Sequence, residues 1–408
     1  MKKESDAKTC DEWEIKVAKS FEEVEAVRDI WEQMQRGESM PVLNADIDRY
    51  LSVVESMKEE VQPYVMVFYY DGNPKAMVIG RIERRRITCR VGYTTILKPS
   101  LRCLSIVYGG ILGRPSDQIS ARLVQGLINT LKQGDVEVVF LNHLRIDSRL
   151  YHLAKTMPNF WCKDHFPVVE SHWQTHIPEN IEDFYETIPS KHKREWRRCE
   201  RKLAEECNGS VKVVCYRDEK DIDYVMETSC KISSLTYKHT LNVGIVDDAL
   251  TRALLKQAAR DGCLRAYLLY VNDVPCAFEF GVCCCDVFFP EYMGYDPKWT
   301  TFGPGALLWV KVIEDLCIDP SICTLDYGFG DAEYKEKFGT ECWPEASVYI
   351  FSPRFYPIFV NTLRNSVSSL NAGLQYVVQK IGSVGWIKRQ WRHLLQAKNP
   401  DSKCGVGR

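Results

Sequence analysis

Four side chains suited to proton transfer or to holding an anion stand between residues 279 and 335: Glu279, Asp326, Tyr334 and Lys335. Glu279 sits in the segment Pro275-Cys276-Ala277-Phe278-Glu279-Phe280-Gly281. Strand alternation there puts it between Ala277 and Gly281 on one face, with both phenylalanines on the other, so a ligand has room beside its carboxylate. Asp326 ends a short strand just before the Gly328/Gly330 turn, at the carboxyl edge where α/β sites collect. Either carboxylate can serve as a general base. Tyr334 and Lys335 open a short helix ending near Gly339, for which Asp331 is the expected cap. A lysine in a first turn opposes the helix dipole, which argues for another task, such as contact with a phosphate oxygen.

Just upstream runs Thr301-Phe302-Gly303-Pro304-Gly305-Ala306, a glycine turn opening an amphipathic helix near Ala306. Glycines let backbone approach a ligand closely, and the N–H groups and dipole of a helix start attract a pyrophosphate. Thr301, Phe302, Gly303, Gly305 and Ala306 are therefore the cofactor-binding candidates. A basic helix, with Ser190 as expected N-cap, places Arg194, Arg197, Arg198 and Arg201 on one face. That stripe is either solvated surface or a site for an anionic donor or sugar-nucleotide acceptor.

The elements that must position these groups recur along the chain. From Trp13 the pattern reads strand, helix over 21–34, helix over 47–58, and a hairpin of 64–70 with 76–82 about an Asp71-Gly72 turn. A cluster of Arg81, Arg84, Arg85 and Arg86 follows, read as a solvated hairpin end. At an offset of 201 residues, Tyr69 falls on Tyr270, Asp71 on Asn272, Pro74 on Pro275, Ala76 on Ala277 and Gly80 on Gly281. Both copies continue through a glycine loop, a helix and a strand, which predicts two similar mixed α/β units in tandem. Val78 stands where the second copy has Glu279, so the first unit is expected to be structural or substrate-shaping.

Bulk properties bound the function. A chain of 408 residues with 45% apolar and 26% charged residues is globular and long enough for two cores. Seventeen cysteines without a CxxC pair point to free thiols in a reducing, cytoplasmic setting. His143, Asp147, His152, His165, His172 and His176 are too irregularly spaced for a metal site, so no metal is expected. Residues 353–408 carry a net charge of +8 against −10 for residues 1–352. This tail interleaves Lys/Arg with apolar positions at helical steps and holds Trp386 and Trp391, which fits either an interfacial helix on an anionic membrane or a helix packed on the acidic body.

Set in order, the pieces Lys191–Arg198, Pro275–Glu279, Gly294-Tyr295-Asp296-Pro297, Gly303-Pro304-Gly305, Asp326-Tyr327-Gly328, Gly330-Asp331 and Tyr334-Lys335 make the run 190–351 resemble a GNAT-like acyltransferase domain of the CelD/BcsL type, associated with bacterial polysaccharide biosynthesis. The two-unit layout resembles the wider FemABX group. The resemblance implies an α/β (mixed α+β) fold of two tandem GNAT-like domains, 1–170 and 171–352, with mixed sheets flanked by helices and a helical tail 353–408. It implies acyl transfer from acyl-CoA to an amine or hydroxyl of a sugar, nucleotide sugar or polysaccharide precursor; the expected location is cytoplasmic, with the inner face of the membrane added if the tail is interfacial. Glu279 or Asp326 would be the base, Tyr334 the acid and Lys335 a thioester or phosphate contact, with Arg194, Arg197, Arg198 and Asp331 toward the substrate. The loop departs from the GNAT pattern, since Thr300 stands where Gln or Arg is usual and Pro304 has no N–H to donate. The alternatives are a FemABX-like transferase using aminoacyl-tRNA, which an acidic body suits poorly, and a non-catalytic scaffold in polysaccharide synthesis.

Overall fold

The computed structural model describes residues 13–38, 40, 42–91, 94–206, 211–235 and 244–381. Twelve strands form one mixed sheet. The first six in chain order are β1 (Trp13–Ala18), β2 (Gln62–Tyr70), β3 (Asn73–Arg86), β4 (Cys89–Val91), β5 (Thr94–Leu97) and β6 (Ser100–Leu112), of which β4 and β5 form a separate ribbon. There follow β7 (Val138–Arg145), β8 (Val168–His176), β9 (Val211–Tyr216), β10 (Leu264–Val271), β11 (Val274–Cys284), β12 (Val287–Tyr295), β13 (Thr324–Phe329) and β14 (Glu341–Phe351). The order across the sheet is β1-β2-β3-β6-β7-β14-β8-β13-β12-β11-β10-β9.

The two expected units are present, and the 201-residue offset marks positions that backbone geometry demands. Hairpin β2–β3 slips register between Phe68 and Tyr69, and hairpin β10–β11 slips between Leu269 and Tyr270. Asp71 and Gly72 take positive φ (48° and 73°), as do Asn272 and Asp273 (50° and 62°), which is why short polar residues and glycine hold these turns. A second bulge falls at Gly80 and at Gly281. A Cβ on Gly80 would stand 2.9 Å from Ile106 Cδ1, and one on Gly281 would stand 2.1 Å from the Phe288 ring, so neither site takes a side chain.

In each unit three antiparallel pairings precede one short parallel pairing. β6 meets β7 over four residue pairs, and β12 meets β13 over two, Val287↔Thr324 and Phe288↔Leu325. Beyond those pairs the strands part and leave an opening. The last strand of each unit is exchanged: β8, which follows the first unit in the chain, pairs with β13 of the second, and β14 pairs with β7 of the first. β8 and β14 then pair with each other and seal the sheet. A cut between residues 170 and 171 falls inside β8.

Helices cover both faces. In the first unit Asp117–Gln133 buries Leu123, Val124, Leu127 and Leu131 at three- and four-residue steps against β2, β3, β6 and β7. In the second, Pro304–Ile318 buries nine of its fifteen residues, among them Leu308, Val312 and Ile313, and packs on β10, β11 and Ile181–Thr187. The first stretch of the tail, in helix Phe355–Ile381, packs on its own body through Val360, Asn361, Arg364 and Val367. Arg364 pairs with fully buried Asp164 at 2.6 Å. Trp386 and Trp391 lie outside the described residues.

Candidate active site

Where β12 has left β13, a cavity of about 500 Å³ opens beside Met293, Gly294 and Tyr295. Glu279 enters it from β11, as strand alternation predicts, and is 98% buried. Tyr334 enters it from helix Glu333–Phe338 and stacks on Trp309 at 5.6 Å between ring centroids. Burial and the negative charge of Glu279 push the Tyr334 phenol above its usual range, so it stays protonated at neutral pH. Trp196 and Cys199, on the inner face of helix Ser190–Glu206, close another side.

The glycine turn forms the cavity's rim. Gly303 takes φ +60°, a conformation glycine adopts without strain, and Pro304 sits at the first helical position, where its missing N–H costs nothing. The helix thus begins two residues earlier than its expected start near Ala306. Its first i→i−4 bond runs from Leu307 N to Gly303 O at 3.1 Å, so the N–H groups of Gly305 and Ala306 precede the ladder and are directed to the rim. Gly303, Gly305 and Ala306 all line the cavity, with Thr300. Thr301 is exposed and outside the lining, and Phe302 packs against Trp299. The residues at the rim fit a pyrophosphate: two free N–H groups, a helix of fifteen residues behind them, and no side chain at 305 in the way.

The other candidates lie elsewhere. Arg194, Arg197 and Arg198 are exposed on the outer face of their helix and line no part of this cavity. Asp331 is exposed and does not cap the following helix, whose N-cap is Ala332 with no side-chain hydrogen bond. Lys335 is not free for a ligand in the way the dipole argument expects. It is buried, and its ammonium donates to Phe329 O (2.7 Å) and Gly328 O (3.4 Å), clamping the 328–330 turn. Burial pulls its pKa down, against the pull of Asp326, Glu170 and Asp331.

Asp326 faces a second cavity, of about 490 Å³, at the seam where β14 and β8 join the units. So Glu279 and Tyr334 share one cavity and Asp326 belongs to another. Around Asp326 the structure assembles a network that spacing alone did not reveal. Asp326 accepts hydrogen bonds from His172 Nε2 (2.8 Å), Gln174 Nε2 (2.9 Å) and Gly328 N (2.7 Å). His172 is fully buried, stacks on Trp343, and reaches Tyr108 Oη through Nδ1 at 3.0 Å. Glu345 accepts from Trp343 Nε1 (2.8 Å) and Tyr108 Oη (3.5 Å). Burial pulls the His172 pKa down, but Asp326 and Glu345 together outweigh it and hold the imidazole at about 9, so it is a cation between two carboxylates at neutral pH.

Residues Tyr108, His172, Asp326 and Glu345 come from four strands. Among the described residues no group of three or more His, Cys, Asp or Glu is arranged to hold a metal ion.

Several solved structures align with most of the chain. FemX aligns at a TM-score of 0.51 and 11% identity, over 79% of this chain and 95% of its own. A tandem GNAT protein from the clavulanic acid biosynthesis pathway aligns at 0.48 and 11%, over 84% of this chain and all of its own. L-PGS from Bacillus licheniformis aligns at 0.47 and 11%, over 82% and 96%. At such identities the likeness to FemX speaks for the fold alone. No curated protein matches the chain. Residues 190–336, which hold the glycine turn, Glu279 and Tyr334, match the family model described as Acetyltransferase (GNAT) domain.

Proposed function

We propose that the chain transfers an acyl group from acyl-coenzyme A to an amine or hydroxyl, with a sugar, nucleotide sugar or glycan precursor as the acceptor class. The observation that carries this reading is the cavity beside the parted β12, where one buried carboxylate, one protonated phenol and a free helix N-terminus meet inside the segment matching the GNAT domain. Gly305 and Ala306 N–H groups would hold the pyrophosphate, and Pro304–Ile318 would add its dipole. The unpaired edge of β12 at Met293–Tyr295 offers backbone groups to the thioester carbonyl.

Glu279 then takes the proton from the acceptor amine or hydroxyl as it attacks the thioester carbon. The carbon–sulfur bond breaks, the acyl group leaves on the acceptor, and the thiolate departs toward the Tyr334 phenol, whose O–H hydrogen-bonds the developing sulfur charge. Trp196, Leu308 and Phe338 exclude water from this step. An aminoacyl-tRNA donor is disfavoured by the −10 net charge of residues 1–352. Contact of the 353–408 tail with an anionic membrane belongs to the same proposal; no described helix is long and apolar enough to cross a bilayer.

A thermal-shift titration with acetyl-CoA tests the donor site. Saturation near 100-fold above Kd should add about 2.7 kcal/mol of stability. Gly305→Asp, whose Cβ meets only the Tyr295 ring at 3.3 Å, should remove that shift while the variant stays folded. An unchanged shift in this variant would place the donor elsewhere.

A further inference from the structure

The arginine cluster of β3 does not lie wholly in solvent. Alternation sends Arg84 and Arg86 outward, and turns Arg81, Glu83 and Arg85 onto the wall of a half-open cavity of about 160 Å³. Arg49 lines it too, but is held by both carboxylate oxygens of Glu291 from the second unit. Glu83 is shared: it lies 3.4 Å from Arg81 Nε and 3.3 Å from Arg85 Nη1, and accepts from Ser105 Oγ at 2.6 Å. One carboxylate thus faces two guanidinium groups, and the wall keeps a net positive charge.

This small cavity adjoins the seam cavity. Ile106, Val107, Tyr108 and Asn142 line both. Past those shared residues Glu345 lines the seam cavity, its Oε2 ion-paired with His172 Nδ1 at 3.4 Å. One space therefore holds two guanidinium groups that share a single carboxylate, and the next is lined by the Glu345 carboxylate and the Gln174 and Asn142 side chains. Two guanidinium groups on one carboxylate leave positive charge for an anion to balance.

We propose that the two spaces form one ligand site, in which the arginine cavity takes the phosphate of a phosphorylated, hydroxyl-rich small molecule and the seam cavity takes the rest. The phosphate supplies acceptors to Arg81 and Arg85, for which guanidinium geometry is suited. Hydroxyls supply partners for the Asn142 and Glu345 side chains that line the seam cavity. The smaller space, of about 160 Å³, has room for a phosphate group, and a phosphate monoester is the class of ligand proposed. The site lies apart from the cavity at Glu279 and stands whether or not that cavity carries acyl transfer.

Calorimetric titration of the full chain with glucose 1-phosphate, glucose and inorganic phosphate tests it. Glucose 1-phosphate should bind more tightly than inorganic phosphate, and glucose should not bind measurably. Arg81→Gln should weaken glucose 1-phosphate binding at least about tenfold, while Arg81→Lys, which keeps the charge, should lose much less. Gly305→Asp should leave this binding unchanged. Failure of all three probes to bind, affinity unaltered by Arg81→Gln, or loss in Gly305→Asp would each overturn the proposal; the last would move the phosphate to the glycine turn. Loss of acetyl-CoA binding with glucose 1-phosphate binding intact would count against acyl transfer alone.

Discussion

His172 Nε2 donates to Asp326 Oδ1 across 2.8 Å, tying the strand exchanged from the first unit to the strand that ends the second unit's parallel pair. The imidazole titrates at about 9 in the folded protein against 6.5 in an unexposed-to-charge reference, so its protonated form stabilises the fold. The contribution is fully present below pH 6.5 and is lost as pH rises through 9. Its size is on the order of 3 kcal/mol. Melting temperature followed across this window should fall with rising pH in the parent chain, and His172→Gln should flatten that fall. An equal slope in both would remove His172 from the account.

Glu279→Gln should lower acyl transfer by roughly 10²–10⁴ with KM for acetyl-CoA little changed, because it removes proton acceptance and keeps shape. Asp326→Asn, which removes the charge opposite His172 and sets an NH₂ against the donating Gln174 amide, should cost stability more than turnover. Denaturation and steady-state kinetics on the same preparations separate the two. The reverse pattern would exchange their roles.

Lys335→Met should loosen the 328–330 turn, since Phe329 O and Gly328 O lose their shared donor. Losing the charged donor leaves two part-buried carbonyls to water, at about 1 kcal/mol. Because the ammonium is spent on backbone, acetyl-CoA affinity should fall no more than stability predicts. A selective loss of affinity would return Lys335 to the ligand.

Arg364→Met should destabilise the chain by about 3–5 kcal/mol, since it strands the buried Asp164 carboxylate. Asp164 also accepts from the backbone N–H groups of Phe166 and Tyr349, so Asp164→Asn combined with Arg364→Met should recover part of that loss. Chemical denaturation of the single and double variants gives the coupling.

The parts of this molecule written in local pattern were readable before any coordinates. The 201-residue offset picked out Gly80 and Gly281 because each is needed where a bulge brings a neighbouring side chain over the strand. Glu279 was readable because a strand's two faces alternate. His172 was not, since it lies 154 residues from Asp326 and only the β8–β13 register brings them together. Nor could charge spacing tell that Arg81 and Arg85 line a cavity while Arg194, Arg197 and Arg198 face water, because both groups follow a regular step along a regular element. Asp331 misled because an acid before a helix is usually its cap, and here the chain turns one residue later.

The exchange of β8 and β14 also governs how the chain can be made. During synthesis β7 emerges some two hundred residues ahead of β14, the strand that completes its hydrogen bonding. Until then the first half presents a bare strand edge ending in Val138, Val139, Phe140 and Leu141, the kind of surface that invites mispairing. The nascent chain therefore carries an open seam until nearly the whole sheet has been translated, and closing it late makes the final pairing slow and strongly dependent on sequence-distant contacts. Terminating translation before residue 341 leaves not a smaller enzyme but two unfinished sheets, so intact protein in the cell reports on completed synthesis of both halves.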